Sequence, residues 1–249
     1  LGAAQMLSRP MKALVLLDVE PVLDAAGAAA ARAALGASGL VVALTAFKDA
    51  RVDNADVLLP IAPFTETSGT FVNAEGRAQS FVGVVKPRGD ARPAWKVLRV
   101  LGNLLGLPGF DHDSSEAVRS EALGDLATLP ERLDNTPNVA VALPPAAPAA
   151  LERVADVPIY SADSLVRRAP SLQQTTDARP PVAALSSTLW ASLGLRPGDK
   201  VVLTQGEATL LLPARLDASL APNTVRVAAG HPDTAALGAM FGPIAVDKA

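Results

Sequence analysis

The chain has 249 residues, with 49% hydrophobic and 4% aromatic side chains and a formal net charge of −3. This length can bury one large or two ordinary cores, and the slightly acidic balance argues against a nucleic-acid binder, which needs a basic surface to neutralise phosphates. The absence of cysteine excludes disulfides, thiolate ligation of zinc or iron–sulfur clusters, and a cysteine nucleophile within this chain.

The first part of the chain alternates strand and helix patterns. Apolar runs of strand length occupy residues 12–17, 40–44 and 56–60, and an alanine-rich helix is predicted between the first two at 24–35, capped by Asp24 and ended by Gly36. This spacing is typical of βαβ units and a parallel sheet covered on both faces. Three strands make an incomplete sheet, so we expect further strands upstream of Leu1 and marginal stability for this part alone.

Residues 66–79, ETSGTFVNAEGRAQ, fit two structures. Alternation at 70–73 and 77–81 around Ala-Glu-Gly predicts a β-hairpin in which Gly76 supplies a positive φ. The amides of residues 67–70 could instead hold an anion beside Arg77, whereas Asn73 and Glu75 could bond the backbone of their own turn. The residues alone leave both interpretations open.

The next segments are helical and then weakly patterned. Leucines and Trp95 fall on one face of a helix at about 95–105, with Pro93 in its first turn, and Ser114 precedes a predicted helix at 115–123. Residues 141–150, VALPPAAPAA, are typical of an extended Pro/Ala linker. Beyond it, Arg167 and Arg168 are predicted to lie on the solvated face of a short helix.

The last 68 residues form a third region. A helix (SSTLWASLGL) leads into the strands KVVLTQ, ATLLLPARLD and NTVRVAAG, then a short helix (HPDTAALGAMF) and a closing strand (IAVD). Short strands with turn residues every 8 to 12 positions predict a small β-barrel.

Few residues suggest chemistry. The chain lacks the dinucleotide-binding, P-loop, nucleophile-elbow and zincin motifs. His112 is predicted to lie in a surface loop, and His231 either lines a crevice or caps the helix that follows. Asp18 and Glu20 follow the first strand, where open α/β sheets bind ligands. Two acids there suit a ribose or a cation, or form a solvated or helix-capping pair.

The segment ADVLLPIAPFTETSGTFVNAEGRAQ resembles the signature of the molybdopterin oxidoreductase superfamily, in which Leu-Pro precedes a Glu-x-x-Gly-Thr-x-x-Asn-x-Glu-Gly-Arg loop. Within it the chain is more similar to the G subunits of bacterial NADH-quinone oxidoreductase, respiratory complex I, through VLLDVEPVLD, PRGDARPAWKVLRVLGNLLGL and IYSADSLVRRAPSLQ. The tail from RPGDKVVLTQ resembles the molybdopterin-dinucleotide-binding barrel that ends these proteins. The resemblance covers about 10–110 and, less closely, 155–249.

The chain departs from the molybdenum-binding pattern after its first strand. Those relatives commonly have Gly-x-Asn-Pro there, whereas this chain has Asp18-Val19-Glu20-Pro21. The change from Gly adds bulk, and Glu in place of Asn adds negative charge toward a pyrophosphate, an unfavourable contact of roughly 1–4 kcal/mol. The resemblance therefore implies a G subunit that keeps the fold without the pterin.

The resemblance implies a C-terminal fragment of such a G subunit, with a partial Rossmann-like α/β domain (1–110), a connecting region (111–181) and a β-barrel domain (182–249). We expect a structural role in the peripheral arm of the complex, cytoplasmic and peripheral to the inner membrane, with neither a catalytic residue nor a metal site. Its partners would be the upstream part of the same polypeptide, which carries the iron–sulfur clusters, and neighbouring peripheral-arm subunits, without nucleic acid or a membrane span.

The vestigial cofactor pocket is expected at Gly69, Thr70, Asn73, Arg77 and His231. In the alternative, a true molybdopterin enzyme resembling formate dehydrogenase, these residues other than Arg77 would line an occupied pterin pocket, with the metal ligand upstream. A plain dinucleotide-binding module is the third hypothesis, disfavoured because no glycine fingerprint follows either strand.

Overall fold

The computed structural model describes residues 1–49, 52–133 and 150–249. Contacts divide the chain into two compact units, Leu1–Val41 with Pro144–Ala249, and Val42–Leu143. The segment predicted as a linker at 141–150 lies, except for Ala150, outside the described residues.

The described residues combine short helices with strands. The α-helices are α1 (Ala3–Leu7), α2 (Pro21–Asp24), α3 (Ala28–Ala37), α4 (Ala94–Leu104), α5 (Ser115–Leu123), α6 (Leu129–Arg132), α7 (Pro170–Gln173) and α8 (Ser187–Ser192). The strands are β1 (Leu14–Leu17), β2 (Val41–Thr45), β3 (Val57–Pro60), β4 (Gly69–Val72), β5 (Ala78–Phe81), β6 (Glu152–Val154), β7 (Ala183–Leu185), β8 (Lys200–Gln205), β9 (Ala208–Leu216), β10 (Thr224–Arg226), β11 (Phe241–Pro243) and β12 (Ala245–Lys248). No helix within these described ranges is long and apolar enough to cross a membrane.

The helix predicted at 24–35 is two helices in the structure. The Glu20 N–H donates to Asp24 Oδ2 (2.6 Å), so Asp24 serves the start of α2 and not that of α3. The N-cap of α3 is Gly27, and Gly36 lies inside this helix. α3 packs through small side chains spaced three residues apart, the buried Ala28, Ala31 and Ala34.

The parallel pairing expected from the βαβ pattern is confirmed. β2 and β3 run parallel, with Val42 beside Val57 and Thr45 beside Pro60, and Leu44 in β2 is fully buried. The Leu14 N–H at the start of β1 donates to the Leu40 carbonyl oxygen (2.9 Å). The fold class is therefore mixed α/β with parallel strands.

Local sequence signals predicted the hairpin and α5 well. β4 and β5 pair antiparallel from Gly69 beside Phe81 to Val72 beside Ala78, and the Gly76 φ is +80°. α5 spans the predicted residues, and the Ser114 hydroxyl accepts a hydrogen bond from the Ala117 N–H (3.1 Å).

The apolar stripe predicted for α4 is less buried than its pattern suggests. Leu104 and Leu105, at the carboxyl end of this helix, are 79% and 64% exposed. Pro93 is the N-cap and lies just before the helix, where the prediction placed it in the first turn. Trp95, Leu98 and Leu101 of the same stripe are half-buried, so the burial of this face ends before Leu104.

The last part of the chain forms a seven-stranded mixed sheet in the order β11-β6-β10-β7-β9-β8-β12. One face encloses a core of buried aliphatic residues: Ala183, Leu185, Leu195, Val201, Leu203, Leu212, Val225, Val227, Leu237, Ile244 and Val246. Three-residue strands β6, β7 and β11 were not predicted, and the helix expected from His231 is only a 3₁₀ turn at Pro232–Thr234.

Candidate functional site

The loop that follows β1 is the first candidate site, because ligands of open α/β sheets bind at the carboxyl ends of strands. Asp18, the first residue after this strand, has φ of +49°, an uncommon conformation that Asp and Asn tolerate better than most residues. Partial desolvation raises the pKa of Asp18, and the Asp163, Asp24 and Glu20 carboxylates raise it further, against a lowering hydrogen bond from Ser164. The Ser164 hydroxyl donates to Asp18 Oδ1 at 3.4 Å.

Glu20 is buried, with 5% of its surface exposed, between two arginines. Arg167 Nη1 lies 2.9 Å from Glu20 Oε2, and Arg168 Nη2 donates to Glu20 Oε1. Arg167 Nη2 also pairs with Asp24 Oδ1 at 2.5 Å. The prediction that Arg167 and Arg168 form a solvated face is therefore wrong, because the acids that hold them lie about 145 residues away in sequence, where no periodicity can show them.

This four-residue cluster is neutral as a set, since two guanidinium groups face two carboxylates. Further hydrogen bonds tie it to the backbone, from Arg167 Nε to the Ser161 carbonyl oxygen (2.9 Å) and from Arg168 Nη1 to that of Ser164 (2.8 Å). Buried ion pairs persist when their remaining donors are satisfied in this way. The cluster fixes the loop after β1 to the 161–168 segment.

A cavity of about 150 Å³ lies near this cluster, within the same unit. Its lining includes residues 22–26, Ala28 at the start of α3, Gly230 and Arg153. Arg153, in β6, is only 2% exposed, and burial lowers the pKa of its guanidinium. It donates to Gln205 Oε1 (3.1 Å) and to backbone carbonyls of residues 227, 228, 238 and 239 at 3.2–3.4 Å.

Arg153 was missed as a candidate from the sequence. Leu151, Arg153 and Ala155 alternate on the side of β6 that faces the core, and this period-two pattern was the available signal. An arginine at a core-facing position needs several acceptors. Its acceptors, Gln205 at the end of β8 and carbonyls of two loops, are distant in sequence, and the local pattern does not identify them.

A second candidate site lies along the hairpin in the other unit. Gly69 and Thr70 line two adjoining cavities of about 190 and 260 Å³, together with Ser115 and Arg119 of α5. The Thr70 and Ser80 hydroxyl oxygens are 3.0 Å apart, and Arg119 Nη1 donates to Ser80 Oγ at 2.7 Å. A Cβ on Gly69 would lie 2.6 Å from the Phe81 ring, so a larger residue at this position would displace that ring.

The other predicted pocket residues, Asn73, Arg77 and His231, do not line these two cavities. Asn73 Oδ1 accepts hydrogen bonds from the Glu75 and Arg77 amides (3.1 and 2.9 Å), so it holds the hairpin turn. The Arg77 side chain is 70% exposed and lies 4.0 Å from the Glu75 carboxylate. His231 belongs to the other unit, where its Nδ1 accepts from the Asp233 N–H (3.1 Å) and caps the 3₁₀ turn.

In the ranges that the structure describes, no group of three or more His, Asp or Glu side chains has a geometry that could hold a metal ion. His112, the other histidine, pairs with Glu121 through Nε2 and Oε2 at 2.6 Å. His112 therefore takes part in a salt bridge, and His231 in a hydrogen bond that stabilises a turn.

Comparisons with known proteins agree with the resemblance. The chain is 31% identical to the G subunit of NADH-quinone oxidoreductase from Mycobacterium bovis over 211 residues, 82% of this chain and 25% of that protein. It is 43% identical to the mitochondrial NADH dehydrogenase [ubiquinone] iron-sulfur protein 1 of Solanum tuberosum over 72 residues, 29% of this chain and 10% of that protein. The chain thus spans a quarter or less of the length of these relatives.

Acetylene hydratase from Pelobacter acetylenicus has a similar structure, with a TM-score of 0.69 over 98% of this chain and 46% of the hydratase. The two sequences are 18% identical, so this likeness concerns the fold alone. The model of the Molybdopterin oxidoreductase family matches residues 2–104. Residues 2–104 are therefore similar to the molybdopterin oxidoreductases, and the chain is similar over most of its length to the G subunits of NADH-quinone oxidoreductase.

Proposed function

We propose that this chain forms the C-terminal part of the G subunit of an NADH-quinone oxidoreductase, where it has a structural role and holds no pterin. The similarity to G subunits over 82% of the chain is the observation that carries this proposal. The absence of cysteine supports it, since thiolates for iron–sulfur clusters must then come from residues outside these 249. Electron transfer would be the activity of the whole complex.

The residues near the end of β1 fit a molybdopterin poorly. Arg167 and Arg168, the cations that could hold a phosphate there, are already paired with Glu20 and Asp24. The nearby cavity, about 150 Å³, is smaller than the roughly 300 Å³ or more typical of cofactor pockets. The Arg153 donors beside it are directed to backbone carbonyls and Gln205. The poor fit does not result from repulsion between Glu20 and a pyrophosphate, because the charge of this carboxylate is neutralised by Arg167 and Arg168.

The architecture supports a scaffold role of this kind. We infer that β1, β2 and β3 with α3 are a part of a Rossmann-like domain, and that the seven-stranded sheet is the barrel-type domain of these proteins. The single-sided core of that sheet supports the second inference. The partners would be the remainder of the same polypeptide and adjacent subunits of the peripheral arm, on the cytoplasmic side.

Co-purification tests this assignment. The chain is expressed in its full gene context in its native host with a C-terminal affinity tag, and the purified material is assayed for NADH-dependent quinone reduction and analysed for its subunits. We expect NADH-quinone oxidoreductase subunits in stoichiometric amounts together with the activity. Purification of a single polypeptide, or of a complex without NADH-dependent activity, would contradict the proposal.

A molybdopterin-dependent oxidoreductase is the second candidate, favoured by the family match over 2–104 and by the fold of acetylene hydratase. In this case Gly69, Thr70, Asn73 and His231 would line the pterin site. The two candidates differ in the cofactor that the purified protein contains, and stoichiometric molybdenum or tungsten would favour the second.

A further inference from the structure

The outer face of the seven-stranded sheet carries a groove that none of the sites above includes. It lies between the sheet and the segments 156–159 and 176–182, and its volume is about 360 Å³. This volume lies within the range of small-molecule sites. All of its lining residues belong to one compact unit.

Two arginines flank the floor of this groove. Ala184 of β7 pairs with Arg215 of β9 on one side and with Arg226 of β10 on the other. Paired residues on adjacent strands project to the same face. The neighbours of Ala184 in its strand, Ala183 and Leu185, belong to the core, so the arginine pair projects to the opposite, outer face.

The small side chain of Ala184 leaves room between these arginines. Arg226 is held in place by Asp217, with Nη2 and Oδ2 3.0 Å apart. The Asp217 carboxylate also interacts electrostatically with Arg215. Within the described part of the chain, however, neither Arg215 nor Arg179, a third arginine in the lining, donates a side-chain hydrogen bond. Two guanidinium groups at this groove therefore keep their donors available.

Carboxylates also line the groove and make it polar along its length. Asp156 lies two residues beyond Val154, the β6 partner of Arg226, and its carbonyl oxygen accepts from the Ala229 N–H (2.8 Å). Two residues along a strand correspond to about 7 Å, so Asp156 lies about this far from the arginine pair along the strand direction. Asp177 lies in the 3₁₀ turn Thr176–Ala178, and Pro180, Pro181 and Ile159 supply apolar parts of the lining.

We propose that this groove binds a small organic carboxylate or phosphate that also carries a hydroxyl or amino group. Its anionic group lies between Arg215 and Arg226, because guanidinium groups bind carboxylate and phosphate oxygens through paired hydrogen bonds. Asp156 accepts the hydrogen bond of the hydroxyl or amino group at the other end. The proposal is independent of the assignment to a G subunit.

Calorimetric titration of the full chain tests the site with three probes at constant ionic strength: citrate, inorganic phosphate and neutral glucose. We expect saturable 1:1 binding of citrate or phosphate and none of glucose. Arg215→Gln should weaken the binding at least ~tenfold, because it removes a charged hydrogen-bond donor from the anion. Arg196→Gln, at another exposed arginine outside the groove, is the matched control and should bind as the unmodified chain does.

Asp156→Asn should have the opposite effect to Arg215→Gln. Removal of this carboxylate should strengthen the binding of inorganic phosphate. The circular dichroism spectrum and melting temperature of each variant establish that it is folded. Absence of saturable binding by the unmodified chain would overturn the proposal. Equal losses in Arg215→Gln and Arg196→Gln would also overturn it, because they would indicate a general charge effect.

Discussion

Among single residues, Glu20, Asp24, Arg167 and Arg168 are the most important for the loop after β1, because they pair with one another there. Glu20 is buried, 26% of the Asp24 side chain is exposed, and each carboxylate has at least one arginine partner. Such a cluster contributes little net stability when intact but costs several kcal/mol when one partner is removed. Its two arginines are already paired with carboxylates, so neither offers an uncompensated positive charge to a phosphate.

Arg167→Met should lower the free energy of unfolding by about 3–5 kcal/mol, because Glu20 then keeps a single arginine inside the protein and Asp24 loses its arginine partner. Urea denaturation followed by circular dichroism measures the change. Arg196→Met, at an exposed arginine, should change it by less than about 0.5 kcal/mol. A change below about 1 kcal/mol for Arg167→Met would show that the cluster is not buried as described.

Asp18 should respond to pH in the opposite sense to most acids. Its pKa is raised by desolvation, so its contribution to stability is fully present below the ordinary aspartate pKa and is lost as pH rises through the raised pKa. Asp18→Asn should therefore raise the melting temperature at about pH 7, and the gain should shrink toward about pH 4. Asparagine also tolerates the φ of +49°.

Asp199 is a control for Asp18, because its pKa is shifted in the opposite direction. A hydrogen bond from Lys248 Nζ, 2.8 Å from Asp199 Oδ2, lowers the pKa of Asp199, so the stabilising contribution of this carboxylate is present above the ordinary pKa and is lost as pH falls. Asp199→Asn should lower the melting temperature at about pH 7. A gain from Asp18→Asn that is equal at both pH values would contradict the role given to its ionisation.

Residue-level prediction from sequence succeeded where the partners are local. Asn73 and Gly76 form the turn that their types predict, because the bonded amides lie within four positions. The burial of Arg167, Arg168 and Arg153 depends on groups about 50 to 150 positions away. No local pattern encodes such contacts, so these arginines could be located only in the folded chain.

At the scale of elements, α4 and the loop after it fit together through a glycine. A Cβ on Gly102, a buried position in α4, would overlap the Phe110 ring. Alanine is otherwise about 1 kcal/mol better than glycine inside a helix. Helix propensity therefore favours alanine at this position, whereas the steric overlap opposes it. The overlap is too large to be relieved without displacing Phe110.

Gly102→Ala should therefore destabilise the protein by about 1–3 kcal/mol, the usual cost of overpacking. In a Phe110→Ala background, the same substitution should be neutral or stabilising, since only the helix propensity remains. A double-mutant cycle in urea gives both values. A stabilising Gly102→Ala in the unmodified chain would contradict the close contact between α4 and Phe110.

Strand length explains which elements the sequence could predict. The runs at β2, β8 and β9 are long enough for an apolar pattern, and the structure confirms them. β6, β7 and β11 contain three residues each and form only through pairing with distant strands, such as β6 with β10. Tertiary pairing, and not local propensity, creates these short strands.

At the scale of the whole molecule, one compact unit combines both ends of the chain, Leu1–Val41 with Pro144–Ala249. The partners of Glu20 and the Ser164 donor to Asp18 both come from the later segment. A polypeptide of residues 1–110 lacks these partners, and its buried acids would lose their compensation. The early strands are therefore not expected to form a stable domain alone.

Residues 1–110 should show no cooperative thermal transition by circular dichroism, whereas the full chain should melt cooperatively under the same conditions. Adding residues 150–249 as a separate polypeptide is a further check, since it supplies the missing arginines. A cooperative, high-temperature melt of residues 1–110 alone would contradict the dependence on the later segment.

The proposal that this chain belongs to a pterin-free G subunit can be tested by elemental analysis. Molybdenum, tungsten and iron are quantified in the purified complex by plasma mass spectrometry, and released pterin is measured by fluorescence after oxidation. We predict abundant iron, molybdenum and tungsten far below one atom per complex, and no released pterin. One molybdenum or tungsten atom per complex, together with stoichiometric pterin, would contradict the account.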